Sequence, residues 1–65
     1  MPIRITKYVI QFDPRLAGWI AFRIIKETEG HKTQTIERLA LTTPKPEPHL
    51  AARALTRVLK VTDNV

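Results

Sequence analysis

Trp19 and Arg23 stand four residues apart in the run Trp19-Ile20-Ala21-Phe22-Arg23-Ile24, whose composition suits an extended strand. With a side-chain period of two, both project to the same side. A tryptophan offers a base a stacking face or a wedge, and an arginine contacts phosphate or a guanine edge. Arg4 and Arg38, on neighbouring runs, join them if the register permits, and Lys7 adds charge near Arg4. A second cationic set, His49, Arg53, Arg57 and Lys60, recurs at helical spacing. These residues suit binding rather than catalysis. The six acids are scattered over turns and run ends, whereas metal-assisted hydrolysis needs several carboxylates at one point. His31 and His49 lack partners at ligand spacing and read as solvated side chains. Thr33, Thr35, Thr42 and Thr43 read as strand formers rather than nucleophiles. Gly18 and Gly30 are the only glycines, too few for a phosphate-cradling loop. No catalytic residue, metal or cofactor is expected, and an enzyme is the weakest functional class.

The elements that hold these residues are legible from periodicity. Residues 3–12 (IRITKYVIQF) are rich in β-branched and aromatic side chains, the composition of a first strand. Ile3 and Ile5 share one phase, and Tyr8, Ile10 and Phe12 share the other. A bulge near Thr6-Lys7 reconciles the two phases, and so does a frayed start. Asp13-Pro14-Arg15-Leu16 has the chemistry of a turn, with an aspartate to bond the backbone ahead and a proline to preset φ. Residues 19–28 form a second strand with apolar side chains on both faces, as a central strand has. Glu29-Gly30 marks the next turn, and residues 32–43 form a third strand. Pro44, Pro46 and Pro48 alternate in a stiff connector over 44–48. Leu50, Ala51, Ala54, Leu55, Val58 and Leu59 then repeat at helical spacing, which predicts an amphipathic helix over about 48–61, fading through Thr62–Val65. Pro48 suits its first turn.

The expected fold is therefore α+β: a three-stranded antiparallel meander with one C-terminal helix packed on one face, in a single small domain. Ile20, Phe22 and Ile24 are expected to meet Leu50, Ala54, Leu55 and Val58. A lone helix covers one face, so the face with Trp19, Arg23 and Ile25 is expected to stay open.

Eleven lysines and arginines against six acids give a formal charge of +5, a balance that favours DNA, RNA or an acidic protein surface. The chain has no cysteine, which excludes disulfide staples and thiolate metal sites. At 65 residues the core is marginal, so a homodimer is a live expectation. No stretch approaches the ~20 apolar residues of a membrane span. The opening residues lack a signal peptide's apolar run, so a cytoplasmic location is expected.

The run from Trp19 to Ile24, a turn, a third strand and Leu50-Ala51-Ala52-Arg53-Ala54-Leu55 resemble two families of DNA-binding domain. They are the three-strand-plus-helix domains of plant ethylene-response factors and the arm-binding domains of phage integrases. The resemblance implies a sheet lying in the major groove, read by arginine and tryptophan on its exposed side. The families' arginine-rich opening strand is absent here, and a proline connector replaces their aromatic-containing turn. The order of elements is also similar to the partial ribonuclease H fold of HicB-type antitoxins, which implies a protein partner. Asp13 follows the first strand as the first acid of a ribonuclease H site would, but the helix carries Arg53 and Arg57 where a glutamate is needed. Two functions follow as expectations. One is a nucleic-acid-binding module using Trp19, Arg23, Arg38, Arg4, Lys7, Arg53, Arg57 and Lys60. The other is a protein-interaction module, an inhibitor or antitoxin, anchored by Trp19 and Ile25.

Overall fold

The structure is a computed structural model that describes residues 1–63, with Thr62 and Asp63 described by backbone alone. Its elements are β1 (Ile3–Asp13), β2 (Gly18–Glu29), β3 (Lys32–Ala40) and α1 (Pro48–Asp63). The strands make one antiparallel sheet in the order β1-β2-β3, followed by the single helix, as the α+β reading expects. Asn64 and Val65, part of the expected fading end, lie outside the described residues.

The turns follow their chemistry. Asp13 Oδ1 accepts from the amides of Arg15 at 2.9 Å and Leu16 at 3.4 Å, the aspartate-capped turn expected before β2. Gly30 takes φ 64° in the two-residue loop that sets Glu29 opposite Lys32.

The strands depart from expectation in two places. β1 pairs with β2 without a break from Ile3↔Thr28 to Asp13↔Gly18, so Thr6-Lys7 carries no bulge and the start is not frayed. Its mixed phase is resolved by leaving Ile3 and Ile5 on the surface, 62% and 56% exposed. The register shift lies instead between Ile25 and Lys26, whose partners are Glu37 and Thr35, so Ile36 is the extra residue. β3 stops at Ala40 rather than at 43, yet the chain beyond it stays bound to β2. Leu41 donates to the Ala21 carbonyl at 2.8 Å, and the Ala21 amide donates to Thr42 Oγ1 at 3.1 Å. Trp19 and Lys45 then exchange two backbone bonds of 2.7 and 2.9 Å. The proline connector is thus held along β2 rather than spanning free space. Gly18 permits this approach, since a Cβ there would lie 2.6 Å from Pro44 Cβ.

Both faces of β2 are enclosed at its centre. Ile20, Phe22 and Ile24 form the buried cluster, and the partly buried apolar side chain packed against it is Val9 of β1. Arg38 completes the cover, its guanidinium 3.9 Å from the centre of the Phe22 ring. The expected contact of this cluster with Leu50, Ala54, Leu55 and Val58 is therefore replaced by side chains of the sheet itself.

The helix takes the other face. Ala21 on that face and Ala51 on α1 are both 0% exposed, and small side chains let a helix sit close. Lys45, whose Cα partner is Trp19 on the same face, shares a groove with α1. From that start α1 lies against β2 and β1 and leaves β3 clear. A 16-residue helix is about 24 Å long, whereas three strands span only ~10 Å. The Cα envelope of 39 × 33 × 14 Å is accordingly wider than the three strands alone.

Candidate nucleic-acid interface

The sheet residues expected to form one binding surface are divided by the register. Arg23 pairs with Tyr8, Phe12 with Trp19, and Arg4 with Glu27, so Trp19, Arg23 and Arg4 share the helix-bearing face. Arg38 and Lys7 are the partners of Ile24 and lie on the opposite face. The expectation that Arg38 joins Trp19 and Arg23 is corrected by this geometry. So is the expectation of an open Trp19 face, because α1 occupies part of it.

What remains accessible there is largely committed. Trp19 is half-buried and meets the Phe12 ring edge-on, with centroids 5.6 Å apart at 62°. Arg23 Nη2 lies 2.6 Å from Glu37 Oε1, and Arg23 Nε lies 3.2 Å from the same oxygen. The Glu37 carboxylate, through this hydrogen bond and its charge, holds the Arg23 guanidinium above its ordinary pKa. Arg4 Nε pairs with Glu27 Oε2 at 3.0 Å. On the other face Arg38 donates to Gln11 Oε1 at 3.0 Å while it covers Phe22. A guanidinium already bound to a carboxylate offers a phosphate less than a free one does, because the existing partner must be displaced.

The helix cations are uncommitted. Arg53, Arg57 and Lys60 are exposed, and among the described residues their side chains have no hydrogen-bond or ion-pair partner. No acid occupies the first turn of α1, and Lys60 lies in its last. His49 alone of the expected stripe has a partner, Glu47 Oε2 at 3.3 Å. Lys45, Leu50, Arg53, Ala54 and Arg57 line a shallow groove of about 230 Å³ between the connector and the helix. Three cations thus converge on one apolar-floored groove, with Lys60 continuing the ridge. Such a row can neutralise successive phosphates of a nucleic-acid backbone.

Lys45 is the residue that sequence reasoning passed over. Flanked by Pro44 and Pro46 it reads as part of a spacer, and only its backbone pairing with Trp19 brings it beside the helix. No local signal in the sequence announces that pairing. Among the described residues no helix is long and apolar enough to cross a membrane, and no three histidine, aspartate or glutamate side chains gather as a metal site requires.

The chain matches no protein-family model, and no curated protein or solved structure matches it.

Proposed function

We propose that the chain is a small nucleic-acid-binding module that meets the phosphate backbone through Lys45, Arg53, Arg57 and Lys60. The observation that carries this reading is the contrast between two sets of cations. Ion pairs engage Arg4, Arg15 and Arg23, and His49 lies 3.3 Å from Glu47, while among the described residues Lys45, Arg53, Arg57 and Lys60 have no ion-pair partner. The net charge of +5 supplies the long-range attraction. Ethylene-response-factor domains share the order of three strands and a helix. In this chain the helix flank, rather than the sheet, is the surface that favours a polyanion. Phosphate contacts of this kind position a protein without reading bases, so the module binds with little sequence preference. Inside the cell, DNA and RNA are both suitable partners.

Binding to a random-sequence DNA duplex and to a single-stranded RNA, followed by fluorescence anisotropy from 25 to 200 mM salt, tests the proposal. Engagement of three to four phosphates gives a slope of log K against log salt of about −3 on the duplex. The double variant R53A/R57A should flatten the slope by about 2, and Trp19→Ala should leave it unchanged. No binding at the lowest salt would refute the reading. A dominant Trp19→Ala effect with little salt dependence would instead favour the protein-interaction alternative.

A further inference from the structure

The surface left uncovered is too large for a chain this size. It exposes 5203 Å², whereas a folded monomer of 7.5 kDa exposes about 4250 Å². Its radius of gyration is 13.6 Å against the ~11 Å of a compact 65-residue domain. The surplus of roughly 950 Å² is close to the ~800 Å² that each partner contributes to a standard interface. Much of the exposed apolar surface lies on one strand, because Ile3, Ile5, Tyr8 and Phe12 all belong to β1.

β1 is also the better of the two sheet edges for pairing. β3 is shorter, carries the Ile36 bulge, and at its far end is continued by the connector. Bulges of this kind spoil an edge as a template. β1 runs 11 residues with no interruption. Its outward-facing backbone groups follow from the ladder. Trp19 directs both its amide and its carbonyl to Lys45, away from β1, so Phe12↔Trp19 is not a hydrogen-bonded pair. Alternation then turns the amides and carbonyls of Arg4, Thr6, Tyr8, Ile10 and Phe12 away from β2, toward the open side.

We infer that two copies of this chain pair through their β1 edges, antiparallel and centred on Tyr8, to form one continuous six-stranded sheet. The register is selected by three features. Centring on Tyr8 overlaps the whole of β1, from Ile3 opposite the partner's Asp13 onward. It sets outward-facing residues against outward-facing residues: Tyr8 on Tyr8, Thr6 on Ile10, Arg4 on Phe12. It also keeps cations apart, since Lys7 faces Val9, whereas a shift by one step would set Lys7 against its own copy. Such a contact is isologous and closes as a two-fold dimer.

Two measurements test the inference on the full chain. Sedimentation velocity over a concentration series should show a species of twice the 7.5 kDa chain mass, dissociating on dilution. A single 7.5 kDa species up to millimolar concentration would overturn the proposal. Amide hydrogen exchange should then protect Arg4, Thr6, Tyr8, Ile10 and Phe12 at high concentration and release them on dilution. Rapid exchange of these five amides in a sample that is dimeric would place the contact elsewhere and refute the β1 pairing. Thr6→Pro removes one outward amide while sparing the β1–β2 ladder, as prolines on edge strands do. It should lower the association constant at least tenfold with its far-ultraviolet spectrum retained. If that variant fails to fold, the exchange pattern of the unmodified chain decides the matter.

Discussion

Ala17 holds φ at 50°, in the left-handed region where a Cβ crowds the following carbonyl. Glycine at this position removes the crowding but adds freedom to the unfolded chain. The balance predicts that Ala17→Gly stabilises the fold by about 0.5–1 kcal/mol, read from urea denaturation midpoints. The neighbouring residue has the reverse requirement. Gly18→Ala sets a Cβ against Pro44 and the backbone of Lys45, so the connector must shift. A loss of about 1–3 kcal/mol is expected, with weakened protection of the Trp19 and Lys45 amides in hydrogen exchange. Arg23 illustrates what residue types alone leave open. Its side of β2 is legible from alternation, but its partner is not. The Ile36 bulge brings Glu37 opposite Ile25 and within reach of Arg23, and no local pattern in KTQTIERLA announces that shift.

At the scale of elements, α1 and the two turns are what the sequence states most clearly. Helical spacing from Leu50, proline at the first turn and an Asp-Pro turn each rest on short-range chemistry, and the structure has all of them. The face on which α1 docks was not legible, because β2 is apolar on both sides and alternation cannot rank them. Arg38 decides the issue by folding over Phe22, and arginine is more often read as surface charge than as a lid on a ring. Truncating it to alanine should cost about 0.5–1 kcal/mol through the lost ring contact. Ala51 marks the opposite seam. It is fully enclosed, so Ala51→Leu has no space to fill and should lift α1 from the sheet, costing about 1–3 kcal/mol. The circular dichroism of the helix should persist while the melting midpoint falls.

For the whole molecule, size and charge pull in different directions. A 65-residue chain buries little, and a charge of +5 repels itself, so association of two copies must overcome that repulsion. Added salt screens the repulsion and should therefore tighten the dimer, while the same salt weakens attachment to nucleic acid. The two equilibria can thus be separated by ionic strength alone. Their midpoints should also differ in concentration dependence, since the melting temperature of a dimer rises with protein concentration.

The single tryptophan gives the chain an internal reporter. The indole of Trp19 rests against Phe12, while its main chain is tied to the strap that leads into the helix. The expected order of unfolding is release of the strap, with exposure of the indole to water, before the hairpins open. In a denaturant titration, a red shift in emission that precedes the loss of strand signal would register this first step of disassembly.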